Sequence, residues 1–118
     1  MDTTFSDYLR EKRQALRAEN RRFSVRQVAM RVRIEPSYLS KIERGLQAPP
    51  SEKTIRALAE DLREDPDVLL ALAGKVAKDV QDVIRTRPRL LAPIIRRMKE
   101  LPDAAVLCLV REVCNENG

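Results

Sequence analysis

Two short amphipathic segments, almost abutting, constrain this chain more than anything else in it. The first, "SVRQVAMRV", opens at Ser24 and carries Val25, Val28, Ala29 and Val32 at the i, i+3, i+4, i+7 spacing of one helix face. Gln27 stands three residues after Ser24, the pattern of a capping box. The second, "PSYLSKIERG", is entered at Pro36 and closed at Gly45, the Pro-in, Gly-out asymmetry of a sharply delimited helix. About three residues around Arg33 join them, so the two helices must cross at a steep angle. Helical spacing puts Tyr38, Leu39 and Ile42 on one side of the second helix, and Pro36, Ser37, Ser40, Lys41 and Arg44 on the other. That helix has an apolar back and a small, polar, cationic front. A helix offered outward by a short turn suits the DNA major groove, which is wide enough for one. Periodicity alone fits an ordinary packed helix pair with a wet face equally well.

Charge bears on the two readings but leaves both open, since a solvated helical surface is charged as well. The chain carries +5 over 118 residues. Between Arg10 and Arg44 there are eleven Lys/Arg against four Asp/Glu, a local +7. Residues 46–75 carry −2 and residues 76–118 carry +2. Positive charge gathered in the segment that holds the helix pair is the footprint of a polyanion-binding surface.

The rest of the chain reads as helix. Lys, Arg, Glu and Asp make up 35% of it and aromatics only 3%, which favours an all-α fold. A first helix is predicted from about Thr4 to Glu19, followed by a polar break, "RAENRRF". After "LQAPP", Ser51 caps a fourth helix with Ile55, Leu58, Ala59 and Leu62 inward, and Pro66 opens a fifth that Gly74 closes. Residues 1–75 are thus predicted as one domain of five short helices, and residues 76–118 as a C-terminal helical extension. In the extension, "VAKDVQDVIRTR" forms a sixth helix with Val76, Val80, Val83 and Ile84 on one side. A seventh, "PRLLAPIIRRMKEL", is kinked at Pro93, and an eighth is entered at Pro102.

Several function classes recede. No apolar run approaches the ~20 residues of a membrane span. The N-terminus lacks the basic-then-apolar order of a signal peptide, so a cytoplasmic protein is expected. There is no His, no phosphate-binding Gly loop and no nucleophile motif, so no enzyme and no cofactor are expected. Cys108 and Cys114 face different directions on the predicted helix, which suits buried free thiols better than a metal site.

The segment "SVRQVAMRVRIEPSYLSKIERGLQAPPSEKTIRALAEDLREDPDVLLALAG" resembles the Xre/Cro-type helix-turn-helix family, related to phage repressors. The likeness covers roughly residues 5–74. Its most specific pieces are "YLSKIERG" followed by a Pro-containing loop, then "TIRALAEDLREDPDVLL". The resemblance implies a five-helix lambda-repressor-like domain that binds operator DNA, usually as a dimer, with its third helix in the major groove. Mapped by position, Pro36, Ser37 and Lys41 read bases, with Glu35 and Ser40 beside them. Ser24, Arg26, Arg33, Arg44 and Gln47 meet phosphates. Arg13 and Glu43 form a partly buried ion pair that fixes the third helix, the alternative for Arg13 being a phosphate contact. This chain departs from the family pattern at Val25, where Gln is common, at Arg33, where Gly is common, and at Glu35, where Ser or Thr is common. Its link between the first two helices is several residues longer and carries Arg21 and Arg22.

The predicted function is a sequence-specific transcriptional regulator, a repressor or autoregulator, bound to a palindromic operator as a homodimer. The dimer contact is expected in the extension, the alternative being that its three helices fold back on the fifth helix and dimerise nothing. Leu90, Leu91, Ile94, Ile95, Met98 and Leu101 form a broad stripe there, and Val106, Leu107, Leu109, Val110 and Val113 wrap more than one face of the last helix. One alternative is an antitoxin-like module whose C-terminal helices bind a partner protein; another is a DNA-bending protein of little sequence preference.

Overall fold

The computed structural model describes the backbone of residues 4–116 and the side chains of residues 4–113. Within them the chain is all-helical, with no strand. The eight helices are α1 (Phe5–Glu19), α2 (Val25–Val32), α3 (Pro36–Glu43), α4 (Glu52–Asp61), α5 (Pro66–Leu72), α6 (Lys78–Thr86), α7 (Pro88–Met98) and α8 (Asp103–Glu116). A 3-10 turn, Arg21–Phe23, occupies the segment expected to be a polar break.

Local chemistry accounts for most of these boundaries. Thr4, Ser24 and Ser51 cap α1, α2 and α4, each accepting a backbone N–H three residues on. Pro36, Pro66 and Pro88 stand at the first helical position, where the missing N–H costs nothing. Only half of the capping box at α2 forms. Ser24 Oγ accepts from the Gln27 N–H at 3.2 Å, while the Ser24 N–H already donates to the Arg21 carbonyl. The α2 helix ends where Arg33 takes the left-handed conformation, φ 62° and ψ 47°. Helix α7 runs through Pro93 to Met98, and α6 begins at Lys78, two residues later than the sequence suggests.

The packing divides the chain into Met1–Ala77 and Lys78–Gly118. The first unit has a core of Phe5, Leu9, Phe23, Val28, Ala29, Leu39, Ile42, Ile55, Leu58, Ala59, Leu62, Leu69, Leu70 and Ala77. Helix α2 packs on α3 and α4, α1 packs on α3, and α4 packs on α5. Phe23 enters this core from the 3-10 turn, correcting the view of that segment as wholly polar.

The second unit is built differently. No described residue from 78 to 113 is buried. Leu90, Ile94, Ile95, Met98, Leu107, Leu109, Val110 and Val113 are exposed, and Leu91, Leu101 and Val106 are partly so. Between α7 and α8, Pro93, Ile94, Arg97, Met98, Leu101 and Leu109 line an apolar groove of about 360 Å³. Cys108 is exposed, which corrects the expectation of a buried thiol; the side chain of Cys114 lies outside the described residues. No described helix is long and apolar enough to cross a membrane, and no described cluster of acidic or sulfur groups has metal-ligand geometry.

Candidate functional site

Helix α3 is held from behind. Leu39 and Ile42 are fully buried, and Tyr38 packs against the core. Glu43, at the last turn, is 4% exposed, and its carboxylate receives a bidentate pair from Arg13 of α1 at 2.7 and 2.9 Å. Arg13 is itself 4% exposed, which leaves it no access to a phosphate. Its remaining Nη1 donates to the Phe23 carbonyl at 3.2 Å. Burying two charges costs several kcal/mol, roughly what their attraction returns, so such a pair specifies a position more than it adds stability. Arg10, one turn earlier on α1, donates to the Glu43 carbonyl at 3.3 Å. That carbonyl is among the last of α3, which lack partners in their own helix. Two arginines thus grip the end of α3 by its side chain and by its backbone.

The opposite face is open. Pro36, Ser37, Lys41 and Arg44 are exposed and Ser40 is half-buried, all on the one side of α3 that the 3.6-residue period assigns them. Glu35 occupies the N-cap position but makes no side-chain bond to the helix, so its carboxylate faces solvent. Arg44 Nε donates to the Ser40 carbonyl at 3.3 Å, a long bond on the surface. Gly45 follows at φ +73°, a conformation that disfavours a side chain and lets the chain leave α3. Gln47 is exposed in the loop beyond.

The start of α2 adds a second polar surface. Ser24 is partly exposed and Arg26 fully so. The N–H groups of Val25 and Arg26 point out of the helix without carbonyl partners in it, at the positive end of its dipole. Arg33, in its left-handed conformation, has an exposed side chain. With Val32, Ile34, Lys53, Thr54 and Ala57 it lines a cleft of about 310 Å³ between the α2–α3 turn and α4.

Three features of this region were not read from the sequence. Lys53 comes beside Arg33 only because α4 packs on α2. Arg31 of α2 forms a bidentate pair with Asp61 of α4 at 2.6 and 3.0 Å, and that hydrogen bond raises the pKa of its guanidinium. Phe23 lies under two guanidinium groups, those of Arg31 and Arg63, at 5.2 and 5.7 Å from its ring centroid. The available signal was Phe23 itself, one of four aromatics in the chain, placed in a polar run. The eleven apolar residues named for a dimer contact lie in α7, α8 and the link between them, all within the second unit.

A family model described as "Helix-turn-helix domain" matches residues 4–72, more than half of the chain. No curated protein and no solved structure matches it.

Proposed function

The chain belongs to the helix-turn-helix domain family, and from that premise we propose that it is a sequence-specific transcriptional regulator of the Xre/Cro type, acting as a repressor or autoregulator. The observation that carries the reading is the two-sidedness of α3. Its back is anchored by Leu39, Ile42 and the Arg13–Glu43 pair, and its front offers Pro36, Ser37, Lys41 and Arg44 to solvent. A rigidly held helix with a small polar front is what a major-groove reader requires, because base-edge hydrogen bonds tolerate little misplacement. Lys41 donates to guanine O6 and N7, Ser37 bonds an adjacent base, and Glu35 accepts from cytosine N4. Pro36 and Ser40 shape the contact. Ser24, Arg26, Arg33, Arg44 and Gln47 bind phosphates and set the register.

One such helix reads only a few base pairs. Two copies about one helical turn apart, ~34–36 Å, supply the remaining specificity. The second unit, 78–118, provides the homodimer contact, because three short helices with no buried residue among those described lack a core of their own and their apolar faces need a partner.

Selection of bound duplexes from a random library tests the reading. A palindrome with half-sites about ten base pairs apart is the expected result, and recovery of no common sequence overturns it. On the selected duplex, Lys41→Ala weakens binding by ~1–3 kcal/mol and relaxes one base pair per half-site. Arg44→Ala instead weakens selected and random duplexes alike, and lowers the salt slope by ~0.9 for each copy of the domain bound.

A further inference from the structure

We propose that Arg21 and Arg22, on the 3-10 turn ahead of α2, form a second phosphate clamp that extends the DNA contact beyond the helix-turn-helix pair. The proposal rests on the DNA-binding reading above.

The turn is a fixed piece of backbone. The Phe23 N–H donates to the Asn20 carbonyl and the Ser24 N–H to the Arg21 carbonyl, both at 3.2 Å. Asn20 Oδ1 accepts the Arg22 N–H at 2.9 Å. Phe23 is 7% exposed and roots the turn in the core, while Arg13 holds the Phe23 carbonyl from below. The arginine that locks α3 therefore also locks this turn, and the two surfaces share one rigid support.

The two side chains that the turn presents are unspent. Arg21 and Arg22 are exposed, and neither makes a side-chain hydrogen bond or ion pair among the described residues. Arg22 borders the cleft that contains Glu60 and Asp61; Arg31 takes both oxygens of Asp61, and among the described residues no ion pair joins Arg22 to Glu60. No acidic residue lies between Glu19 and Glu35, a run that contains Arg21, Arg22, Arg26, Arg31 and Arg33. A solvated helical surface normally mixes both signs of charge, whereas this stretch of sequence holds cations alone. Arg21, Arg22 and Arg26 flank the start of α2, where Ser24 opens the helix and its dipole already favours an anion, while Arg31 and Arg33 stand at its other end. Guanidinium groups bind phosphate bidentately, and a backbone pinned in advance spares the entropy of ordering them.

The test uses the full chain and a duplex selected by the wild type from a random library. Binding is measured from about 50 to about 300 mM salt. The double variant Arg21→Ala/Arg22→Ala is expected to lower the slope of log K against log salt by ~1.8 for each copy of the domain bound, about 0.9 for each lost contact. Arg21→Lys/Arg22→Lys is expected to restore most of that slope, and Lys78→Ala/Lys99→Ala, with the same loss of net charge, to leave it unchanged. A slope unaltered in the double alanine variant, while Arg44→Ala still lowers it, overturns the clamp and leaves the DNA-binding reading standing. An equal fall in the Lys78→Ala/Lys99→Ala protein also overturns the clamp, since the effect is then one of net charge. Failure of the wild type to bind any duplex removes the underlying reading itself.

Discussion

At the scale of single residues, Arg33 shows a conflict between folding and the proposed binding. Its φ of 62° lies in the left-handed region, where a side chain costs roughly 1–2 kcal/mol. Glycine would remove that strain but add freedom to the unfolded chain, which returns ~0.4–1 kcal/mol of the gain. Arg33→Gly is therefore expected to stabilise the protein by ~0.5–1 kcal/mol in urea denaturation. The same variant is expected to bind DNA more weakly, with a salt slope lower by ~0.9 per bound domain, because a phosphate contact is lost. A variant that is no more stable shows the left-handed strain to be relieved by other contacts of the arginine. The conformation was not readable from residue 33 alone. It belongs to the way α2 ends: Arg33 is its C-cap, and a left-handed residue there stops the helix and starts the short connection to α3.

At the scale of elements, two ties between distant helices decide how α3 and the fold behind it respond to change. The Arg13–Glu43 pair joins α1 to α3 inside the core. Arg13→Met strands the Glu43 carboxylate there and is expected to cost ~3–5 kcal/mol of stability. Arg13→Met/Glu43→Leu removes both charges and is expected to recover most of that loss, read by chemical denaturation. A double variant as unstable as the single would mean that packing rather than the stranded charge sets the cost. The second tie runs from α1 to the α4–α5 connection. Glu64 accepts a hydrogen bond from the Tyr8 hydroxyl and another from the Asp65 N–H, with Lys12 Nζ at 4.0 Å. The Tyr8 bond first, then the Asp65 N–H, then the Lys12 charge hold the Glu64 carboxyl below the usual carboxylate range, and the same bond raises the Tyr8 pKa. A folded-state pKa below the unfolded one adds stability above the unfolded value, and that stability is lost as pH falls through the folded value. The difference in Tm between wild type and Glu64→Gln should therefore be largest near neutrality and shrink on the way to about pH 3. A difference constant over that range would show that no proton is linked to this contact.

At the scale of the whole molecule, the two units differ in how they are stabilised. The first encloses a core drawn from α1 to α5, the 3-10 turn and Ala77. The second leaves every described residue from 78 to 113 at least partly accessible. A chain ending at Ala77 is expected to stay folded and monomeric by light scattering at tens of micromolar, while the full chain is a dimer. The truncated chain is expected to lose most of its affinity for the selected palindrome while keeping the binding of a single half-site. A full chain that is monomeric under the same conditions removes the homodimer and turns the apolar face of α7 and α8 toward a different protein. A truncated chain that dimerises as well as the full one moves the contact into the first unit.

What short-range interactions control was legible from the residues alone. Helix starts at Ser24, Pro36, Ser51 and Pro66 follow from caps and fixed φ angles, and the inward faces of α2, α3 and α4 follow from a 3.6-residue period. The polar front of α3 was legible for the same reason, since residues on one helix share a face whatever surrounds them. Tertiary structure decided the rest. Phe23 is buried because α1 and α2 close over a turn whose own composition is polar. Arg10, Lys53 and the Arg31–Asp61 pair acquired their neighbours from elements about 20 to 33 positions away, a separation at which spacing carries no signal. Cys108 came to the surface because a helical period fixes the angle between two side chains and not which of them faces a neighbouring helix.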